Sequence, residues 1–406
     1  VSDFDLETFE VEIERSDETV RYRDGFESYR LTSNYMTPTD AWEFTVFSDD
    51  NPFELRRRWR PLQPVKLYIS GNLQVIGRID GIEGVGDGGT KLRVWGRDYL
   101  ADLVDATVDP QFQVKKGQDI GAVFEELFAP FGIKTILGSF NLTRDLLTGK
   151  RPYFGEPERS FRAAQLDDFK AEDNQGVMEF AMKIASRHGF TILPGGTRDS
   201  IVIDRPNYLQ APLLELSRPG NIISASARRD YSSVPTVTIA RGRGGDASGG
   251  AKGEFPTFDK SGGAPSSIGS VPEVQRTITA ENNIIAVRET RWDPKKPDRT
   301  IYGFDPPLYR PLFYRDRDAR NGEQLDYSVR KMIAERLRDT LTYSVEMRGH
   351  TETTSGAVYA VDTIARVNDT IEDVNENLWV LERTFENMGG GPRTTMELLR
   401  PESYVL

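Results

Sequence analysis

In 406 residues there are two histidines, His188 and His350, and no cysteine. Thiolate nucleophiles, disulfides and cysteine metal sites are therefore excluded, and little imidazole remains for proton transfer. His188 precedes Gly189, where a helix should end and a cation suits its last carbonyls. His350 follows Gly349 and has no local partner. Gly96-Arg97-Asp98, followed by Asp102 and Asp105, sets an acid beside an arginine. No His, Cys or second placed acid stands near enough in sequence to activate a nucleophile. A strand ending in a glycine bend is expected here, with Arg97 bridging to Asp98, Asp102 or Asp105, and with Leu100, Leu103 and Val104 packing inward. Arg56-Arg57-Arg58-Trp59-Arg60 could clamp phosphate and stack on bases, but so short a run on a helix reads better as a contact to an acidic neighbouring subunit. Asp80 to Asp87 and Asp168 to Asp173 lack the ligand spacing of a twelve-residue calcium loop. No catalytic, cofactor-binding or metal-ligating residue is assigned, and no enzymatic activity is expected.

The elements that carry these residues can be read from periodicity. From Phe9 to about Asp105 apolar and polar residues alternate, as in Phe9, Val11, Ile13 and in Trp42, Phe44, Val46, which predicts half-buried antiparallel strands. Asn51-Pro52 opens a short helix to about Trp59. Ile120, Val123, Phe124, Leu127 and Phe128 follow helical spacing, as do Val177, Phe180, Ala181 and Ile184. The second helix leads into a hairpin through Ile201-Val202-Ile203. Residues 137–173 are irregular and polar. Gly, Ser, Ala and Pro dominate 242–270, which reads as an inserted arm. Leu325, Val329, Met332, Ile333, Leu337 and Leu341 predict an amphipathic helix over 324–341. Strands close the chain: Val358–Val361, Ile364–Val367, Leu378–Leu381 and Thr394–Leu399.

The two ends share a grammar. Val75 to Ile79, a glycine-rich turn, and Thr90 to Val94 correspond to Trp379 to Arg383, Gly389-Gly390-Gly391, and Thr394 to Leu398. The expected fold is α+β, mainly β, with two related antiparallel β-barrel domains and small α+β modules between them. The expected domains are 1–110, a first barrel; 111–215, helix-plus-hairpin modules; and 216–406, a second barrel carrying the insertion 242–270 and the helix 324–341.

Asp and Glu number 63 against 52 Lys and Arg, a formal charge of −11. That balance disfavours a general duplex-binding surface, which needs clustered cations, but suits an acidic wall past which DNA moves. No run of about 18 apolar residues predicts a membrane span. Val1-Ser2-Asp3-Phe4-Asp5 is acidic where a secretory leader would be basic and then apolar, so none is expected.

In order, Asn51-Pro52-Phe53-Glu54-Leu55, Pro64 to Tyr68, Gly77-Arg78-Ile79-Asp80, the block Gly96-Arg97-Asp98 with Asp102-Leu103-Val104-Asp105, the Val177-to-Phe190 helix and hairpin, and Leu398 to Tyr404 resemble the central baseplate hub of contractile-tailed phages, the Mu-type or late control D family. Residues 137–173 and 242–270 depart from that pattern. The resemblance implies a virion structural protein, made in the host cytoplasm and placed in the tail baseplate. It implies a homotrimer whose two tube-like barrels per chain adapt a six-fold tail tube protein above to a three-fold central spike protein below. Baseplate wedge proteins would be further partners, and phage DNA would pass through the channel without specific binding during ejection. No cofactor is implied. A tail-associated cell-wall hydrolase and a type VI-like spike protein of a contractile injection system are the alternatives.

Overall fold

Strands with alternating burial, most of them paired antiparallel, are the main element of the described residues. The computed structural model describes residues 7–47, 52–85, 90–138, 169–241, 274–288, 311–315 and 332–401, apart from short gaps within them. The arm 242–270, most of the helix expected over 324–341, most of the segment 137–173, and His188 lie outside the described residues.

The N-terminal part contains β1 (Phe9–Glu14), β2 (Thr19–Tyr22), β3 (Phe26–Asn34), β4 (Ala41–Phe47), the helix α1 (Pro52–Arg58), β5 (Pro64–Ile69), β6 (Asn72–Val85) and β7 (Lys91–Asp98). Their inward positions form an aromatic core. Phe9 stacks on Tyr29 with ring centroids 4.3 Å apart, and Trp59 meets Phe44 edge to face at 5.0 Å. Burying such rings supplies the largest apolar areas available to a strand-built core.

A helical module follows, with α2 (Ala101–Asp105), β8 (Gln113–Val114), α3 (Ile120–Phe128), β9 (Thr135–Gly138), β10 (Phe169–Lys170), α4 (Val177–Arg187), β11 (Thr191–Pro194) and β12 (Ser200–Asp204). Val123, Phe124, Leu127 and Phe128 of α3 and Phe180, Ala181 and Ile184 of α4 share one apolar cluster with Leu100 and Leu103. The helix-plus-hairpin pieces therefore fold around a single core.

The chain then returns through β13 (Leu214–Arg218) and β14 (Ile222–Arg228). A second compact unit, spanning Arg228–Thr342, comes next. In it β15 (Val237–Arg241), β16 (Val274–Glu281), β17 (Ile284–Arg288) and β18 (Pro311–Arg315) form a sheet in the order β17-β16-β15-β18, with β15 and β18 parallel. The remaining strands, β19 (Thr342–Arg348), β20 (Ile364–Asp369), β21 (Val374–Asn387) and β22 (Arg393–Leu399), lie with β13 and β14. The strand expected over Val358–Val361 is only a single bridge, Val358 to Thr351.

The duplication read from the two hairpins extends through the whole strand path. Hydrogen-bonded neighbours run β3-β4-β7-β6-β5-β1 in the first set and β14-β19-β22-β21-β20-β13 in the second. Matching the two lists pairs β1 with β13, β3 with β14, β4 with β19, β5 with β20, β6 with β21 and β7 with β22, in unbroken chain order. Two details differ: β1 meets β5 antiparallel, whereas β13 meets β20 parallel, and β2, which pairs with β1, has no counterpart among the described residues. The long hairpins match closely. Each has one bulge, between Ile79 and Gly81 in β6 and between Val380 and Glu382 in β21. From the bulge to the turn each has five residue pairs, Gly81–Trp95 to Val85–Lys91 and Glu382–Glu397 to Glu386–Arg393. A bulge re-aims a strand and raises its twist, so equal placement gives the two hairpins the same bend.

One ladder fuses the two sets into a 13-stranded sheet. The outer half of β21 pairs antiparallel with β3, from Glu382–Asn34 to Asn387–Tyr29.

Glycine is required where sheet and core approach most closely. A Cβ on Gly96 would run into the Arg78 carbonyl oxygen and the Trp42 ring. Gly96→Ala is expected to cost about 1–3 kcal/mol by overpacking. A lowered denaturant midpoint at unchanged slope would show it, and an unchanged midpoint would contradict this packing.

Candidate functional site

The strand exit at Gly96-Arg97-Asp98 sorts its charges by the pleat. Arg97 points outward, and its Nε donates to Asp80 Oδ2 at 2.8 Å; Asp80 is the bulged residue of β6. Its two Nη atoms donate to the two oxygens of Asp105 at 3.0 and 2.6 Å. This two-pronged contact, with the Asp80 bond, holds the guanidinium charged and keeps the Asp105 carboxyl below its ordinary value. Asp102 pairs with Arg78 rather than with Arg97. Leu100 and Leu103 are buried as expected, but Val104 is 37 % exposed because it falls on the outer side of α2.

Asp98 points the other way, into the sheet, and makes no bond to Arg97. Its carboxylate accepts the backbone N–H of Asp40 at 3.0 Å and of Leu100 at 2.9 Å. Burial and the nearby charge of Asp40 push its acid up to about 8, against the opposing pull of the backbone donors. Tyr99 anchors the exit to the helical module, its hydroxyl donating to the Ser200 carbonyl and accepting from Gly195 N–H at 2.6 Å.

An open concavity of about 620 Å³ lies over this part of the sheet, with Arg30, Glu43, Glu83, Arg93, Trp95 and Arg97 in its lining. Opposite charges alternate across neighbouring strands, as where Arg93 Nε donates to Glu43 Oε2 at 3.0 Å. The lining is a mixed ion-pair lattice rather than a single-sign pocket.

The arginine run occupies the end of α1. Arg56, Arg57 and Arg60 are exposed; Arg58 is half-buried with its guanidinium 5.4 Å from the Tyr22 ring centroid, and Trp59 is buried in the first core. The end of α1 thus turns Arg56 and Arg57 outward, while Trp59, just past it, fixes it to the first strand set.

Two buried polar groups were not marked by sequence motifs. His350, which has no local partner in the sequence, has two from distant strands. Thr394 Oγ1 donates to the Gly349 carbonyl, so it accepts from His350 Nδ1–H at 3.0 Å; His350 Nε2 is left to accept the Tyr29 hydroxyl at 2.7 Å. Burial pulls the imidazole down to about 3, and the charge of Arg383 adds to that shift. Arg383 is itself buried. Its Nη1 donates to Gln74 Oε1 at 2.8 Å and to the Tyr359 carbonyl at 3.1 Å, and its Nη2 donates to Ser33 Oγ at 2.6 Å. Ser33 passes a 2.8 Å bond to Asp40 Oδ2, which connects the arginine to the Asp40–Asp98 pair. Burial lowers the guanidinium to about 10, with Asp40 opposing that shift. The signal for Arg383 was present in the sequence: it takes the inward place between Leu381 and Phe385.

Among the described residues, no three His, Cys, Asp or Glu side chains converge to hold a metal ion, and no helix is long and apolar enough to cross a membrane. The chemistry on view is ion pairing and hydrogen bonding between strands.

No family model and no curated protein matches the chain. Solved structures do. The 43 kDa tail protein of prophage MuSo2 from Shewanella oneidensis is similar at TM-score 0.67 and 16% identity, with 97% of this chain and 99% of that one covered. A tail protein from Neisseria meningitidis MC58 is similar at TM-score 0.66 and 17% identity, with 98% and 99% covered. A chain of the Francisella PdpA–VgrG complex is similar at TM-score 0.53 and 8% identity, covering 98% of this chain and 58% of that one. At these identities the likeness establishes a shared fold.

Two measurements probe the buried groups. The unfolded imidazole takes up its proton near 6.5 and the folded His350 near 3, so the unfolded chain binds more protons between those values. Stability from neutral His350 is complete above that window and is lost as pH falls through it. With two histidines in the chain, NMR should show the His350 signal unmoved through neutral pH; titration near 6.5 would contradict its burial. Arg383→Ala leaves Ser33, Asp40 and Gln74 without their cation and is expected to cost about 3–5 kcal/mol in chemical denaturation. A variant as stable as the parent would contradict the network.

Proposed function

We propose that this chain is the structural baseplate hub of a contractile phage tail. In this reading it is a homotrimer that adapts a six-fold tail tube protein to a three-fold central spike protein. The observation that carries it is the repeated strand path: two strand sets of equal neighbour order in one chain, read as two barrels, would let three copies present six similar units. The fold likeness to the Shewanella and Neisseria tail proteins over nearly the full length of all three chains supports the same reading. Closed rings need only complementary edges and a rotation that closes, with no energy source and no turnover.

The channel through such a trimer would carry phage DNA without specific binding, and the formal charge of −11 suits a wall that repels phosphate. Arg56 and Arg57 of α1, with Arg58 and Arg60, would be subunit or wedge contacts, since Arg56, Arg57 and Arg60 are exposed around buried Trp59. Localisation in the tail baseplate, after synthesis in the host cytoplasm, follows from this role.

A type VI-like spike protein of a contractile injection system is the second reading, favoured by the likeness to the Francisella chain. It keeps the trimer and the barrels and differs in the tube and cargo served.

Native mass spectrometry tests the shared core of both readings. A mass of three chains is expected, and a stable monomer at micromolar concentration would overturn it. Changing Arg56, Arg57 and Arg60 together to Glu is expected to leave the melting curve of the isolated chain within about 0.5 kcal/mol of the parent, as for exposed substitutions. Tail assembly should weaken; unimpaired assembly would remove the arginines from the contact.

A further inference from the structure

The duplication leaves one joint made and one open. Within the chain, Glu382–Asn387 of β21 pairs with β3. The counterpart of β21 is β6, and counting from the bulge aligns Gly81–Val85 with Glu382–Glu386. The counterpart of β3 is β14. Neither counterpart has the equivalent neighbour. β5 pairs with β6 from Asn72 only as far as Arg78, so beyond the bulge no strand among the described residues covers the edge of β6 opposite β7. Among the described residues β14 ends the sheet, with β19 as its one strand neighbour there. We propose that Gly81–Val85 of β6 pairs antiparallel with β14 of a second copy of this chain, repeating between protomers the β21–β3 joint that each chain makes within itself. This rests on the trimer reading and names its contact surface.

The character of the two edges fits that occupant. Val85 is 39 % exposed and Ile223 on β14 is 45 % exposed, and uncovered apolar residues on open edges invite unwanted pairing unless a partner covers them. Antiparallel pairing brings the Gly81 end of β6, with exposed Glu83, toward the Arg228 end of β14, where the arginine side chain is 77 % exposed. Two side chains already reach the backbone of β14, Arg218 to the Ala225 carbonyl and Glu372 to the Ala227 N–H. Each contact is 3.4 Å, longer than a ladder bond usually is. The Arg56 guanidinium lies 3.1 Å from where a Cβ on Gly84 would stand, so it covers one face of this stretch of β6. With one internal joint and one between chains, three chains close a ring of six joints, and the contact is heterologous, as cyclic closure requires.

The absence of cysteine makes the test direct. Val85→Cys is combined in turn with Ile223→Cys, Ser224→Cys and Ser226→Cys in the full chain, and the protein is oxidised and run without reductant. At least one pairing should give cross-linked dimers and trimers, because paired strands bring Cα atoms within disulfide reach, and the single variants should not. Hydrogen exchange supplies a second readout on the unmodified chain: amides of 81–85 and 222–227 should slow when the trimer forms from diluted protein. A trimer by native mass with no cross-link in any pairing and no added protection would overturn this joint and leave the trimer standing. Absence of the trimer would overturn both.

Discussion

A guanidinium buried among strands must find acceptors for its donors, and at the ladder between β21 and β3 both Nη atoms of Arg383 do so. Its Nε has no hydrogen-bond partner among the described residues, and Asp40 is reached only through Ser33. Its hydrogen bonds gather Ser33 of β3, Gln74 of β6 and the Tyr359 carbonyl, and through Ser33 they reach Asp40 and Asp98 at the exit of β7. Both strand sets thus converge on one polar centre. Apolar burial holds each set together, but it is non-directional. The arginine network is directional and so adds register specificity to the backbone ladder that joins the two sets.

Around that centre the chain repeats itself. The same neighbour order and the same bulge position give the two sets a common shape, while their surroundings differ. In the first set β3 and β4 are joined by a short turn; in the second, the counterparts β14 and β19 are separated by the unit Arg228–Thr342. The helical module enters after β7, and Tyr99, Leu100 and Leu103 tie the strand exit into its core. A duplicated frame thus carries unlike insertions at its connections. The proposed adaptor between assemblies of different symmetry would use that combination: equivalent units to one side and distinct surfaces to the other.

Much of this was legible in the sequence because burial alternates. Trp42, Phe44 and Val46 announced β4, the spacing of Val177, Phe180 and Ile184 announced α4, and the glycine-rich turns placed both long hairpins. What failed was what no local pattern encodes. Arg97 did bridge to Asp105, one of its expected partners, but its second partner is Asp80 across the strand rather than Asp98, because the pleat turned that neighbour inward, and Val104 fell on the outer side of a short helix. His350 found Tyr29 and Thr394 across strands 321 and 44 residues away in sequence. The joint between β21 and β3 lay beyond reach for the same reason, although an arginine at an inward position of β21 was its trace.

The central claim is that two equivalent barrels in each chain build a ring of six units from three copies. Electron microscopy of the purified chain, averaged in end-on views without imposed symmetry, tests it most directly. The account predicts a ring of six similar densities whose true symmetry is three-fold. Isolated two-lobed particles, or a ring whose number of lobes is not twice its number of chains, would contradict it.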